Sequence, residues 1–182
     1  MFSSPKAGLI SRVLLCMLSY TAATSLAQEF RLESAGVRGG TGTTHSVQYF
    51  CETDAFADWN LPWRWSLGAN WHLQPRLDIS AGWLGERGDN AFVGSLGPSI
   101  VVLPPSLPLS IEGGVSPAGI SRFTYEGRDL GSTLQFITHA GVNWDFARHW
   151  RIGYRFQHMS NGDLSSPNPG LNMNMLVLSY VF

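Results

Sequence analysis

The residues with the clearest chemical potential lie in the run from His158 to Asn172, between two segments of alternating polarity. Side chains alternate between the two faces of a strand, so His158 and Ser160 share a face. The same face carries the apolar residues before the run, and Asn172 shares a face with the apolar residues after it. These are Trp150, Ile152, Tyr154 and Phe156 before the run, and Leu176, Leu178, Tyr180 and Phe182 after it.

An imidazole and a hydroxyl two residues apart on one strand face can meet, which is the minimum for an activated serine nucleophile. Asn172 then lies on the neighbouring strand, on the same apolar side. An alternative stays open at this point, because Ser, Asn and Asp are also typical of caps and turns around a Pro/Gly-rich loop.

Alternation of this kind runs through most of the chain and predicts strands. The most regular case is 63–73, predicted as one strand that the Gln74-Pro75 dipeptide interrupts, because proline donates no ladder hydrogen bond. The longest irregular stretch is expected at 117–131, as an exposed loop. The other predicted strands are 30–40, 46–56, 77–83, 92–102, 109–116, 134–146 and the two that flank the His158 run.

The strand pattern and the composition together indicate a membrane β-barrel. Trp63, Trp65 and Trp71 share one strand face, which is unusual for the alternative of a water-soluble sandwich. No stretch after residue 27 is long and apolar enough for a membrane helix. Bacterial barrels have even strand numbers, so the nine candidates should reduce to eight antiparallel strands. The final Phe182 is a familiar ending of outer-membrane barrels, which predicts a Gram-negative outer membrane.

Residues 1–27 are predicted to be a signal peptide, with Lys6 and Arg12 before an apolar segment and Ser25-Leu26-Ala27 as a cleavage site. The barrel would then comprise residues 28–182. Ten basic and 13 acidic residues remain, a net charge of about −3, with no basic patch for nucleic acid. Cys51 is the single remaining cysteine, so no internal disulfide is expected.

The predicted face limits what the site can reach. Side chains fill the interior of an eight-stranded barrel, so a lipid cannot enter. His158 and Ser160 lie on the outer, lipid-facing wall, where polar residues are costly and therefore point to function. A nucleophile there reaches only molecules of the bilayer, and the reactive bond would be a lipid ester.

Two segments resemble the PagL family of lipid A 3-O-deacylases: 155–162, which reads RFQHMSNG, and 167–172, which reads PNPGLN. Weaker similarity covers most of the mature chain, including 36–40, 61–65 and 75–78. The resemblance implies an eight-stranded outer-membrane barrel that hydrolyses the ester-linked 3-hydroxyacyl chain at position 3 of lipid A.

Within this resemblance, Ser160 corresponds to the nucleophile and His158 to its general base. Asn161 and Asn168 are candidates for oxyanion stabilisation, although Asn168 is equally consistent with a turn residue. Some family members have Glu where this chain has Asn172. Asn can orient an imidazole through its side-chain oxygen but adds no charge, and Asp163 is a weaker candidate for the missing carboxylate.

No cofactor or metal is expected, because the histidines show no zinc-ligand spacing and no phosphate-binding glycine motif is present. The expected partners are lipid A and the membrane, and a homodimer is left open. Two other functions compete with deacylation of lipid A. One is an outer-membrane phospholipase using the same Ser/His chemistry, and the other is a non-catalytic barrel such as an adhesin.

Overall fold

The computed structural model describes residues 30–42, 50–68 and 70–182. The predicted signal peptide, 1–27, lies outside the described residues. No helix in the described part of the chain is long and apolar enough to cross a membrane. The strands are β1 (Arg31–Gly42), β2 (Phe50–Asn60), β3 (Trp65–Ser66), β4 (His72–Glu86), β5 (Asp89–Leu103), β6 (Leu109–Ile120), β7 (Thr124–Tyr125), β8 (Arg128–Asp129), β9 (Leu134–Ala147), β10 (Trp150–Ser160) and β11 (Leu171–Val181).

Eight long strands form a closed antiparallel barrel, as predicted. Each pairs with its neighbour along the chain, and β1 pairs with β11 to close the ring. The two-residue strand β3 pairs only with the start of β4, and β7 and β8 form a separate hairpin between β6 and β9. Closure leaves no long strand with an open sheet edge, which a lipid environment requires.

The connections define two ends of the barrel. The upper end carries the turn 87–88, the connection 121–133 that contains β7 and β8, and the loop 161–170. The lower end carries the connections 61–71, 104–108 and 148–149.

Alternation along each strand separates an apolar outer wall from a filled interior. In β10, Trp150, Ile152 and Phe156 are exposed, whereas Arg151 and Arg155 are buried. The lower interior is a network of ion pairs around Arg38, whose guanidinium lies 2.8 Å from Asp54 and 3.2 Å from Asp78. Buried charges are tolerated when they are paired in this way.

Apolar side chains dominate the upper interior, beside a few buried polar ones such as Glu86 and Gln135. A buried cluster lies beneath the upper connections and includes Phe50, Leu84, Ala91, Val93, Ala118, Ile120, Tyr125, Leu130, Ile137, Met159, Leu171, Met173 and Met175. Tyr125 of β7 packs edge-on against Phe50 of β2, with 4.9 Å between ring centroids. The polar network and this cluster fill the barrel with side chains, as expected for its size.

The prediction of one strand at 63–73 is wrong. The segment is a tight hairpin in which Trp65 lies opposite Leu73, and Leu67 N–H donates to Trp71 O at 2.9 Å. Gly68 and Asn70 adopt the left-handed conformation, with φ of 66° and 68°, that such a turn needs. The ninth predicted strand is therefore no separate strand of the barrel. Its residues form this hairpin, whose second arm is the start of β4.

The prediction that Pro75 interrupts the sheet is also wrong, since β4 runs through it. The last residue pair between β2 and β4 is Asn60–Arg76, so Pro75 lies one residue beyond that ladder. Its carbonyl faces the same side and accepts the Leu61 N–H at 3.0 Å. The missing proline N–H would have faced Leu61 O, which instead accepts from Gln74 Nε2 at 2.9 Å.

The irregular stretch begins later than the predicted residue 117, because β6 continues to Ile120. Pro117 lies opposite Phe136 of β9, whereas the β5–β6 pairing is interrupted between Ser95–Ala118 and Ser99–Gly114. Pro98 and Pro117 both fall within this interruption, where a strand tolerates a missing donor. The connection to β9 also contains the β7–β8 hairpin rather than irregular chain alone.

Candidate active site

The register of β10 and β11 places His158 directly opposite Asn172, at the upper end of the outer wall. His158 Nδ1 lies 2.7 Å from Asn172 Oδ1. An amide oxygen accepts a hydrogen bond, so this contact favours the His158 tautomer with its hydrogen on Nδ1. The second ring nitrogen, Nε2, is then the free base of the imidazole.

Ser160 is the last residue of β10 and lies on the same face, two residues above His158. Both side chains are half-buried, while the intervening Met159 belongs to the interior cluster. The face predicted from the alternation is therefore the observed one. Ser160 Oγ makes no hydrogen bond to the His158 ring among the described residues, and such catalytic contacts often tighten only when substrate binds.

Gly170 holds the His158 ring from the loop side. A Cβ at this position would lie 2.7 Å from His158 Cε1, and the residue has a φ of 62°. Glycine is therefore required for two reasons: the space is occupied by the imidazole, and the backbone is left-handed. The ring is held between the Asn172 amide and this glycine.

Arg128 ties Gly170 to the neighbouring hairpin. Its Nη2 donates to Pro169 O at 3.2 Å and also to Gly170 O. Because Arg128 belongs to β8, the β7–β8 hairpin supports the loop that contacts the His158 ring. Sequence reasoning missed both Gly170 and Arg128; the only signal for Gly170 was its place in the PNPG segment.

Asn161 is fully buried and organises the loop that follows β10. Its side-chain Nδ2 donates to Leu130 O at 3.2 Å, to Pro167 O at 3.0 Å and to both oxygens of Ser165 at 3.1 Å. Its backbone N–H donates to Asn168 Oδ1 at 3.1 Å. The amide group is thus directed into the loop.

Asn168 is half-buried, and its Nδ2 donates to Asp163 Oδ1 at 2.8 Å. One hydrogen of that amide remains for a further acceptor. Asp163 therefore accepts a hydrogen bond from Asn168, and it makes no hydrogen bond or ion pair with His158 among the described residues. The Asp163 carboxylate therefore orients Asn168, the candidate for oxyanion stabilisation, and not the imidazole of His158.

Within the described ranges, no group of three or more His, Cys, Asp and Glu side chains is arranged to hold a metal ion. His139 is buried inside the barrel, whereas His149 Nδ1 donates to Val181 O at 2.9 Å at the lower end. His45 lies outside the described residues.

A closed barrel with an apolar outer wall, and with a histidine, an amide and a serine grouped on that wall, is the arrangement expected of a β-barrel membrane hydrolase. Comparison with known proteins identifies the group more closely. The family model described as "Lipid A 3-O-deacylase (PagL)" matches residues 52–181, which include every residue of the site. The chain belongs to this family, whose members are outer-membrane ester hydrolases.

Individual relatives agree. The lipid A deacylase PagL of Bordetella bronchiseptica is 30% identical over 132 residues, which cover 66% of this chain and 70% of that protein. The protein of the same name from Pseudomonas aeruginosa is 36% identical over 61 residues, 34% of this chain and 35% of that protein. A crystal structure of the outer membrane enzyme PagL matches the fold with a TM-score of 0.68 at 23% identity, covering 81% of this chain and 97% of that one.

Proposed function

We propose that this enzyme removes the ester-linked 3-hydroxyacyl chain at position 3 of lipid A, with Ser160 as nucleophile and His158 as general base. The observation that carries the proposal is the 2.7 Å contact between His158 Nδ1 and Asn172 Oδ1 on the outer wall, with Ser160 two residues away on the same face. The family description names the substrate, and the upper end of the wall would face the outer leaflet that contains it.

The reaction begins when His158 Nε2 accepts the Ser160 proton and Oγ attacks the ester carbonyl. The tetrahedral intermediate collapses to an acyl-enzyme as the sugar oxygen leaves with the proton from His158. A water molecule, deprotonated by the same nitrogen, then releases the 3-hydroxy fatty acid and restores Ser160. Asn172 holds the ring in the productive tautomer throughout but contributes no negative charge to the imidazolium.

The oxyanion requires a donor close to Ser160. Asn168 is the stronger of the two candidates, because one of its side-chain hydrogens remains after the bond to Asp163. Asn161 supports this role, because its backbone N–H donates to Asn168 Oδ1 at 3.1 Å and so holds the Asn168 side chain. The Asn161 side-chain amide itself donates to backbone oxygens such as Leu130 O. In this assignment Asn161 positions the donor and Asn168 provides it.

Mass spectrometry of lipid A tests the proposal, using cells that express the wild type, Ser160→Ala or the control Ser66→Ala. Ser66 is exposed in the lower-end hairpin, far from the site. We expect loss of one 3-hydroxyacyl group with the wild type and Ser66→Ala, and intact lipid A with Ser160→Ala. Unchanged lipid A in all three strains, with the barrel folded in the outer membrane, would overturn the proposal, as would loss of acyl chains from phospholipids instead.

A further inference from the structure

A second polar group lies on the outer wall, one row below the catalytic residues. Asn174 follows Asn172 by two residues in β11, so the two side chains face the same way, roughly 7 Å apart along the strand. The Tyr154 hydroxyl of β10 donates to Asn174 Oδ1. On its other side Asn174 lies opposite Thr41 of β1, whose side chain is exposed on the same wall.

This group has no structural explanation in the wall itself. Its neighbours below are apolar and exposed, including Ile152, Leu176 and Leu178. The Tyr154 hydroxyl occupies the amide oxygen, so Asn174 Nδ2 is left with two donors and no partner in the part of the chain that the structure describes. An amide that faces hydrocarbon without a partner is costly, which makes a ligand the natural acceptor.

We propose that Asn174 Nδ2, with the Thr41 hydroxyl beside it, forms a subsite for an oxygen atom carried within an acyl chain, as a hydroxyl or an acyloxy ester. This inference rests on the proposed function and refines its substrate. Only lipid chains reach this part of the wall, and a plain alkyl chain offers no acceptor. Lipids built from 3-hydroxyacyl chains carry oxygens below the level of the scissile ester, whereas the chains of common glycerophospholipids do not.

The subsite therefore contributes to the choice of lipid rather than to bond cleavage. Tyr154 positions it, because a hydrogen bond to Oδ1 fixes the amide plane and directs Nδ2 away from the tyrosine. Ser160 attacks any ester that reaches it, while Asn174 and Thr41 favour lipids whose chains carry an oxygen.

The test compares two substrates with the purified full-length enzyme in detergent micelles: lipid A, and p-nitrophenyl tetradecanoate, whose chain carries no oxygen beyond the ester. For Asn174→Leu we expect kcat/KM on lipid A to fall about tenfold more than on the plain ester, as the loss of one hydrogen bond to a desolvated partner predicts. Tyr154→Phe should show the same bias at about threefold, because the amide remains but is less well oriented.

Asn90→Leu is the matched control, since Asn90 is an exposed residue of β5 near the upper end. It should leave the ratio of the two kcat/KM values unchanged. Equal losses on both substrates with Asn174→Leu, or no loss on either, would overturn the subsite. If the wild type and Ser160→Ala process lipid A at the same rate, the proposed function has failed instead, and the two failures are distinguishable.

Discussion

Two hairpins of the barrel wall, β4–β5 and β10–β11, share one architecture and differ in what they present to the lipid. Inside the barrel both contribute to the upper apolar cluster, Leu84 and Ala91 from the first and Met159 and Leu171 from the second. Each of these is a directly opposed pair in its own hairpin. The interior therefore does not distinguish the two hairpins.

The outer pairs one residue away are different. Trp83 and Phe92 pack edge-on, with 5.6 Å between ring centroids, where the other hairpin has His158 and Asn172 joined by a 2.7 Å contact. The aromatic hairpin closes through the two residues Arg87 and Gly88, and the polar one through the loop 161–170. The barrel therefore supplies the same position in both hairpins, and the outward side chains and the loop above them make the difference.

Replacing the outward residue in each hairpin should separate the two most strongly. We expect His158→Ala to lower kcat/KM on lipid A by about 10³-fold, because the serine loses its base. Trp83→Ala should change kcat/KM less than threefold, because Trp83 packs against Phe92 in the wall and has no part in the proposed reaction. Deacylation rates of both variants, purified in the same detergent and checked for heat-modifiable migration, make the comparison. Similar losses for the two would show that His158 acts through the wall rather than on the serine.

The glycines above the two hairpins offer the next contrast. Gly170→Ala should lower activity by about 10²-fold, because the new Cβ displaces the imidazole by a distance that catalysis does not tolerate. Gly88 also has a positive φ, of 99°, but a Cβ there would meet nothing within 4 Å. Gly88→Ala should therefore reduce thermal stability without reducing kcat. A Gly170→Ala enzyme with full kcat would refute the idea that Gly170 fixes the position of the His158 imidazole.

Asn172 tests what the amide contributes to its histidine partner. Asn172→Leu should lower kcat about tenfold or more, since the imidazole loses the bond that sets its tautomer. Asn172→Glu should raise kcat, because a carboxylate opposite Nδ1 stabilises the imidazolium that forms when the serine is deprotonated. A leucine variant as active as the wild type would show that the contact is structural.

The smallest expected effect concerns the hairpin that supports the loop. Arg128→Ala should lower kcat about threefold to tenfold with little change in KM, and Arg128→Lys should recover part of it by reaching one of the two carbonyls. Arg122 in the same connection pairs with Asp89 at the surface, with both side chains 45% exposed. Because such exposed pairs contribute little, Arg122→Ala should match the wild type. A loss carried entirely by KM would instead assign Arg128 to substrate binding.

The outward face of His158 and Ser160 was predictable because strand alternation is strictly local. The pairing of His158 with Asn172 followed only from the family resemblance and not from the alternation, since the register depends on the conformation of the ten-residue loop between the strands. The contacts of that loop are long-range: Asn161 reaches Leu130, and Arg128 reaches Gly170. No spacing within one segment encodes them.

The error at 63–73 has a specific cause. In this hairpin Trp65 lies opposite Leu73, and the two numbers have the same parity. A hairpin with such a register keeps alternate residues on one face through both arms, so its alternation looks like that of one continuous strand. Gly68, as a residue suited to left-handed backbone, was the local signal of the turn.

The central claim is that Ser160 on the outer wall is the nucleophile, and covalent labelling tests it most directly. The folded enzyme is treated with a long-chain fluorophosphonate, and the modified residue is located by peptide mass spectrometry. We predict one adduct, on Ser160, that forms at least 10²-fold more slowly in His158→Ala because the serine must be deprotonated to react. An enzyme that still deacylates lipid A but carries its adduct on another residue would contradict the assignment.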